Sequence, residues 1–190
     1  GGLINLNCIS NGLKVLGSFL FSIGLLTICM FGFKLFTGQV GYFPEKENKK
    51  QFLVQLLIFY LGNLIGAVGL GYLLRITAIG DNNTLFNVAL EFASHKLVAL
   101  SADSPGQPFY SVLILAFFCG FLVFLAVDIF KRENTSPLFK ILGVIICVGA
   151  FVVSGFEHCI ADMFYLAFSN QFFTVYFLEA ILSIVCGSTG

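Results

Sequence analysis

The chain has 190 residues, 58% of them hydrophobic and only 11% charged, and its ten basic and ten acidic side chains leave no formal net charge. A soluble domain is ordinarily about 45–50% apolar and about 25% charged, so this balance points to a chain solvated by lipid. The lack of excess positive charge leaves no electrostatic footprint for nucleic acid. The length suits one membrane domain, residues 1–190. Crossing the hydrocarbon takes about 20 apolar residues in a helix. In chain order, Leu13–Phe33 qualifies, apolar apart from Lys14 at its edge. Phe52–Leu74 has no charge, Phe109–Phe130 carries only Asp128, and Leu138–Phe156 carries only Lys140. A short apolar piece, Ala161–Phe168, and a final run, Phe173–Gly190, follow. The chain opens Gly1-Gly2 and closes Gly187-Ser188-Thr189-Gly190 within that last apolar run, so it is expected to be a fragment cut inside membrane segments at both ends.

The connecting segments orient these spans. Pro44–Lys50 contains Lys46, Lys49 and Lys50, and Lys131–Lys140 contains Lys131, Arg132 and Lys140. Both are expected on the cytoplasmic side by the positive-inside bias. The long loop from Arg75 to Pro108 and the uncharged link at 168–173 then face outside. Six cysteines are scattered through apolar stretches without a C-x-x-C pair, and read as small buried hydrophobes.

Two spans look broken. The first is followed by Phe36-Thr37-Gly38-Gln39-Val40-Gly41, too short and too glycine-rich for another crossing. The fourth full span runs into Glu157-His158-Cys159-Ile160-Ala161-Asp162, polar in an apolar region. Non-helical backbone at membrane depth is tolerated only where protein buries it or where it lines a wet cavity, and paired interruptions in two halves point to a transport site. The halves match in one order. Lys14-Val15-Leu16-Gly17 resembles Lys140-Ile141-Leu142-Gly143, Gly32-Phe33-Lys34 resembles Gly155-Phe156-Glu157, and Gly62-Asn63-Leu64-Ile65-Gly66 resembles Gly187-Ser188-Thr189-Gly190. A unit of three crossings ends on the opposite side, so its copy must be inverted. The expected repeats are about 1–75 and 109–190. Glycines shared merely for helix packing are the alternative.

These residues resemble a known family. Lys34-Leu35-Phe36-Thr37-Gly38 resembles the Leu-Phe-Thr loop of the formate/nitrite transporter family, and Gly155-Phe156-Glu157-His158-Cys159-Ile160-Ala161-Asp162-Met163 resembles its Gly-Phe-Glu-His-Ser-Ile-Ala-Asn-Met signature. Gly62-Asn63-Leu64-Ile65-Gly66-Ala67 is similar to its glycine-rich third helix. The resemblance implies an all-α, aquaporin-like subunit of inverted three-helix repeats, a homopentamer with one pore per subunit, placed in the inner membrane of a prokaryote. It implies passage of formate, nitrite, hydrosulfide or a similar small monovalent anion or weak acid, with no enzyme activity, cofactor or metal. His158 would stand at the pore centre, facing Thr37 on the opposing loop. Phe21 with Phe151 would form the outer constriction, and Leu25 with Leu35, helped by Phe36, the inner one.

A bare anion in an apolar constriction faces a cost on the order of tens of kcal/mol, which a neutral acid largely avoids. Histidine, with an unperturbed pKa of about 6.5, can exchange a proton near neutral pH. A lone histidine on an apolar face is more often a satisfied core residue, but His158 sits in a polar break beside Glu157 and Asp162. Lys34 and Glu157 occupy matching places in the two halves. Ionisable groups at membrane depth are usually paired, so the two are expected to pair unless Lys34 bonds loop carbonyls alone. Where the family has asparagine this chain has Asp162, a negative charge that opposes an approaching anion. Lys96 resembles the family's outer-vestibule lysine across an insertion before Phe109, whereas ungapped counting places Ser104 there. A Lys96 that reaches back would neutralise Asp162. Gly120 also departs from a common asparagine.

Three rival readings stand beside this one. A neutral-solute pore of aquaporin-like shape lacks the expected Asn-Pro-Ala loops. A non-conducting sensor or scaffold would suit the departures at Lys34, Gly120 and Asp162. An intramembrane enzyme using Glu157, His158 and Asp162 would lack a second nearby histidine for a metal and a nucleophile–base pair.

Overall fold

A computed structural model of the chain describes residues 1–99 and 106–172. Their regular structure is helical, with one isolated bridge between Val98 and Gln107. In chain order the helices are α1 (Gly2–Ser10), α2 (Lys14–Leu20), α3 (Ser22–Met30), α4 (Phe36–Val40), α5 (Lys49–Arg75), α6 (Asn83–Ser94), α7 (Phe109–Lys131), α8 (Pro137–Val153) and α9 (Cys159–Phe168). The expected Phe173–Gly190 span, the third repeat match, Cys186 and Ser104 lie outside the described residues.

Local chemistry starts the longer helices. The Asn48 side chain accepts from the Gln51 N–H at 3.1 Å ahead of α5, and Asn82 does the same for Leu85 ahead of α6. Ser136 caps α8 through the Phe139 N–H, with Pro137 in the first turn, where its missing N–H costs nothing. The first expected span, Leu13–Phe33, is built as α2 and α3, meeting at Phe21, whose φ and ψ stay helical. The long segment between Arg75 and Pro108 is not loop throughout. It holds α6, which buries Leu85, Ala89 and Ala93 at four-residue spacing. This helix is amphipathic and only 12 residues long, so a search for apolar runs of membrane length passes over it. The expected assignment likewise omits the N-terminal helix α1.

Both broken helices end alike. At the end of α3, Gly32 takes φ +70°, and the Phe33 N–H reaches back to the Ile28 carbonyl at 2.9 Å. At the end of α8, Gly155 takes φ +72°, and the Phe156 N–H reaches back to the Phe151 carbonyl at 3.0 Å. This is the left-handed glycine stop, at matching positions of the second sequence match. After three further residues a new helix starts in each case, α4 from an extended Leu35 and α9 from an extended His158.

The buried residues form two large apolar clusters. One joins α9 to α6 and α1, with α5 packed against it, and the other joins α7, α8 and α3 to Leu35. Phe21 and Ile160 touch both clusters, so the breaks lie along the seam. Helices α5 and α7 are long and apolar enough to cross a bilayer. The outer face of α5 leaves Leu53, Leu57, Ile58, Leu61, Ile65 and Leu73 exposed, a continuous apolar surface of the kind lipid or another membrane helix covers. The fold is thus an all-α, multi-helix membrane architecture.

Candidate functional site

His158 ends the second break and starts α9. Its Nδ1 accepts from the Ala161 N–H at 3.2 Å, replacing the usual serine or asparagine cap. An accepting Nδ1 fixes the neutral tautomer, leaving the ring proton on Nε2. Nε2 lies 3.4 Å from Thr37 Oγ1, a residue 121 positions away on α4. The imidazole stacks on Phe151, centroids 5.5 Å apart and planes 18° apart. The ring is therefore held at both nitrogens and on one face.

Beside it lies a buried charged cluster. Lys96, just past α6, places Nζ 3.2 Å from Glu157 Oε1. The same ammonium donates to the carbonyls of Gly155 and Phe156, at 3.2 and 3.1 Å. Gln107 Nε2 donates to Glu157 Oε1 at 2.8 Å and to the His95 carbonyl, while Ser111 donates to Gln107 Oε1. Lys96, Glu157, His158 and Asp162 are all buried. The lysine thus serves two purposes: it offsets carboxylate charge and satisfies two carbonyls freed where α8 stops.

The first break shares the backbone course but not the side chains. Its pin is Asn63 of α5, whose Nδ2 donates to the Lys34 carbonyl at 3.2 Å and whose Oδ1 accepts from the Phe36 N–H at 2.8 Å. Leu35, at the place that His158 takes in the second break, is buried and apolar. The expected Lys34–Glu157 pair does not form. Glu157 is taken by Lys96, and Lys34 is exposed with no ion pair among the described residues. The match between the halves aligns backbone, and side chains at aligned positions need not face each other.

Cavities line up along the seam. One, about 310 Å³, is lined by apolar groups including Leu25, Leu35, Val123 and Phe164, with His158 on its wall. A smaller one of about 20 Å³ is bounded by Lys96, Asp162, Tyr165 and Asn5. Phe21, Phe151, His158 and Ala161 line both, and the two phenyl rings meet edge to face at 6.0 Å. A third, about 50 Å³, shares Ile28 and Leu35 with the first and is bordered by Lys34, Gln39 and Lys131. The first two spaces are thus adjacent through Phe21, Phe151 and His158 and the first and third through Ile28 and Leu35, with a lysine bordering the second and the third.

The structure therefore brings together His158, Thr37, Glu157, Asp162 and Lys96, and places Phe21 against Phe151 and Leu25 in one cavity wall with Leu35. It does not bring Lys34 to Glu157. Phe36 also points elsewhere, its ring lying 5.2 Å from that of Tyr60. Sequence reading missed the pinning roles of Asn63 and Gln107. Asn63 carried a usable signal, an amide inside a charge-free span, whereas Gln107 carried none.

The family model described as Formate/nitrite transporter matches residues 2–185. The chain is 29% identical over 188 residues to an uncharacterized transporter, YrhG, of Bacillus subtilis, covering 92% of this chain and 66% of that relative. It is 31% identical over 160 residues to the formate channel FocA of Escherichia coli, covering 80% of this chain and 52% of that one. The chain thus spans between about half and two thirds of the length of these relatives. A solved structure described as a pentameric formate channel with formate bound superposes with a TM-score of 0.69 at 25% identity, covering 94% of this chain and 80% of that one.

Proposed function

The chain belongs to the formate/nitrite transporter family, and from that premise we propose that it forms a membrane pore for a small monovalent weak acid or its anion, with His158 at the central waist. The observation that carries the reading is the placement of His158 on the shared wall of two cavities, between a small space bordered by Lys96 and Asp162 and a large apolar one. An anion attracted toward Lys96 must shed water to pass Phe21 and Phe151, and its bare charge would cost on the order of tens of kcal/mol in the apolar space beyond. Nε2–H of His158 and the hydroxyl of Thr37 are hydrogen-bond donors at that point. They can hold the oxygen of the anion while it takes up a proton from water, and the neutral acid then crosses the space lined by Leu25 and Leu35.

The matching glycine stops support two inverted three-helix halves, about residues 1–75 and 109–190, in an aquaporin-like subunit. The open apolar face of α5 is compatible with the pentameric assembly named for the solved relative, and the proposed location is the inner membrane of a prokaryote. Formate, nitrite and hydrosulfide are the first substrates to test. Purified full-length protein in proteoliposomes should take up formate faster as the medium is acidified between about pH 8 and pH 5. His158→Asn should lower that flux by roughly tenfold or more, the scale of losing one buried hydrogen-bonding group. Flux unchanged in His158→Asn and His158→Phe would exclude a role for the imidazole in permeation.

A further inference from the structure

The cluster beside His158 holds two acids and one base. Glu157 and Asp162 are 1% and 2% exposed, and Lys96 is 6% exposed. If both carboxyls were ionised, a net negative charge would be left among Phe92, Phe151 and Phe156, an apolar setting that penalises an uncompensated charge. Among the described residues no other cation is paired with the cluster. The remaining titratable side chains facing the cluster are Cys119, Cys159, Tyr165 and His158. Thiols and a phenol cannot be cationic, and His158 would lose its cap to Ala161 if Nδ1 gained a proton. Residues 100–105 and 173–190 contain no lysine, arginine or histidine.

A second observation is independent of this charge count. Glu157 Oε1 accepts from both Lys96 and Gln107, but Glu157 Oε2 and Asp162 Oδ2 are buried with no donor among the described residues. The two carboxyl groups belong to one buried cluster and are close enough to act on each other. Ionised carboxylates only accept, so two of them cannot form a hydrogen bond without a proton between them.

We propose that Glu157 and Asp162 hold a single proton between them at neutral pH, a proton-binding site that pairs the two orphaned oxygens and leaves the Lys96 cluster electrically neutral. Asp162 then does not set a free negative charge in the path of an anion, and the chain keeps the attraction of Lys96 despite the extra acid. The shared proton is independent of transport; only its consequence for anion entry rests on the proposed function.

Infrared spectroscopy of the full-length protein in lipid at neutral pH tests it. A carbonyl stretch of a protonated carboxyl group is expected, shifting in heavy water and lost in both Asp162→Asn and Glu157→Gln. Absence of that band from the parent protein, or its persistence unchanged in both variants, would overturn the proposal; the parent measurement decides even where a variant does not fold. If the parent protein carries no formate, the transport reading falls and the infrared result decides the proton site by itself.

Discussion

The two breaks are the same backbone device finished with different chemistry. Each begins with a left-handed glycine, passes through three extended or turning residues and restarts a helix, and each is pinned by a polar side chain from a neighbouring element. The first is pinned by the neutral amide of Asn63 and presents Leu35; the second is pinned by the Lys96 ammonium and presents His158. An amide satisfies one donor and one acceptor and asks for nothing more. An ammonium satisfies two carbonyls but must be neutralised, and so brings with it Glu157, Gln107 and the buried acid pair. The asymmetry leaves an apolar side chain at the first break and an imidazole N–H at the second.

Substitutions should separate the two pins by size of effect. Lys96→Met keeps the length of the side chain but removes the cation between two buried acids and two carbonyls. It is expected to cost about 3–5 kcal/mol, the scale of breaking a buried pair from one side, read as the loss of folded protein or a lower unfolding midpoint in detergent. Asn63→Leu removes two neutral hydrogen bonds and should cost about 1–2 kcal/mol in the same assay. If it proves as damaging as Lys96→Met, the claim that charge sets the second break apart is wrong. Gly32→Ala and Gly155→Ala should each cost about 1 kcal/mol, because both positions carry positive φ with open space around the missing Cβ. A large difference between the two would show that the matching dihedrals hide unequal strain. Lys34→Ala, at an exposed side chain, should change stability by no more than about 0.5 kcal/mol. A loss comparable to that of Lys96→Met would restore the pairing the geometry rejects.

Much of the pattern was readable from the chain. The spans over 52–74, 109–130 and 138–156 correspond to α5, α7 and α8 within a few residues, because apolar runs of that length have few other ways to satisfy their backbone in lipid. Both breaks were readable to within a few residues, since a charged residue stands two positions after Gly32 and after Gly155 where apolar sequence should continue, although Phe36–Val40 and Cys159–Phe168 beyond them are helical. Less visible were α6, whose apolar positions are spaced along one face rather than run together, and the pins, whose partners are distant in sequence. Thr37 and His158 are 121 residues apart, and Lys96 and Glu157 are 61 apart if counted from their numbers in the chain.

The sequence by itself determined the lipid-facing composition, the long helices, the glycine stops and the motif around His158, since each depends on neighbours within a few residues or on composition alone. Tertiary structure decided which lysine meets Glu157, which ring lies on the imidazole and where the cavities open. Ion pairs, stacking and cavities depend on separation in space across helices, and repeat alignment carries over the backbone course without saying which side chains will face one another.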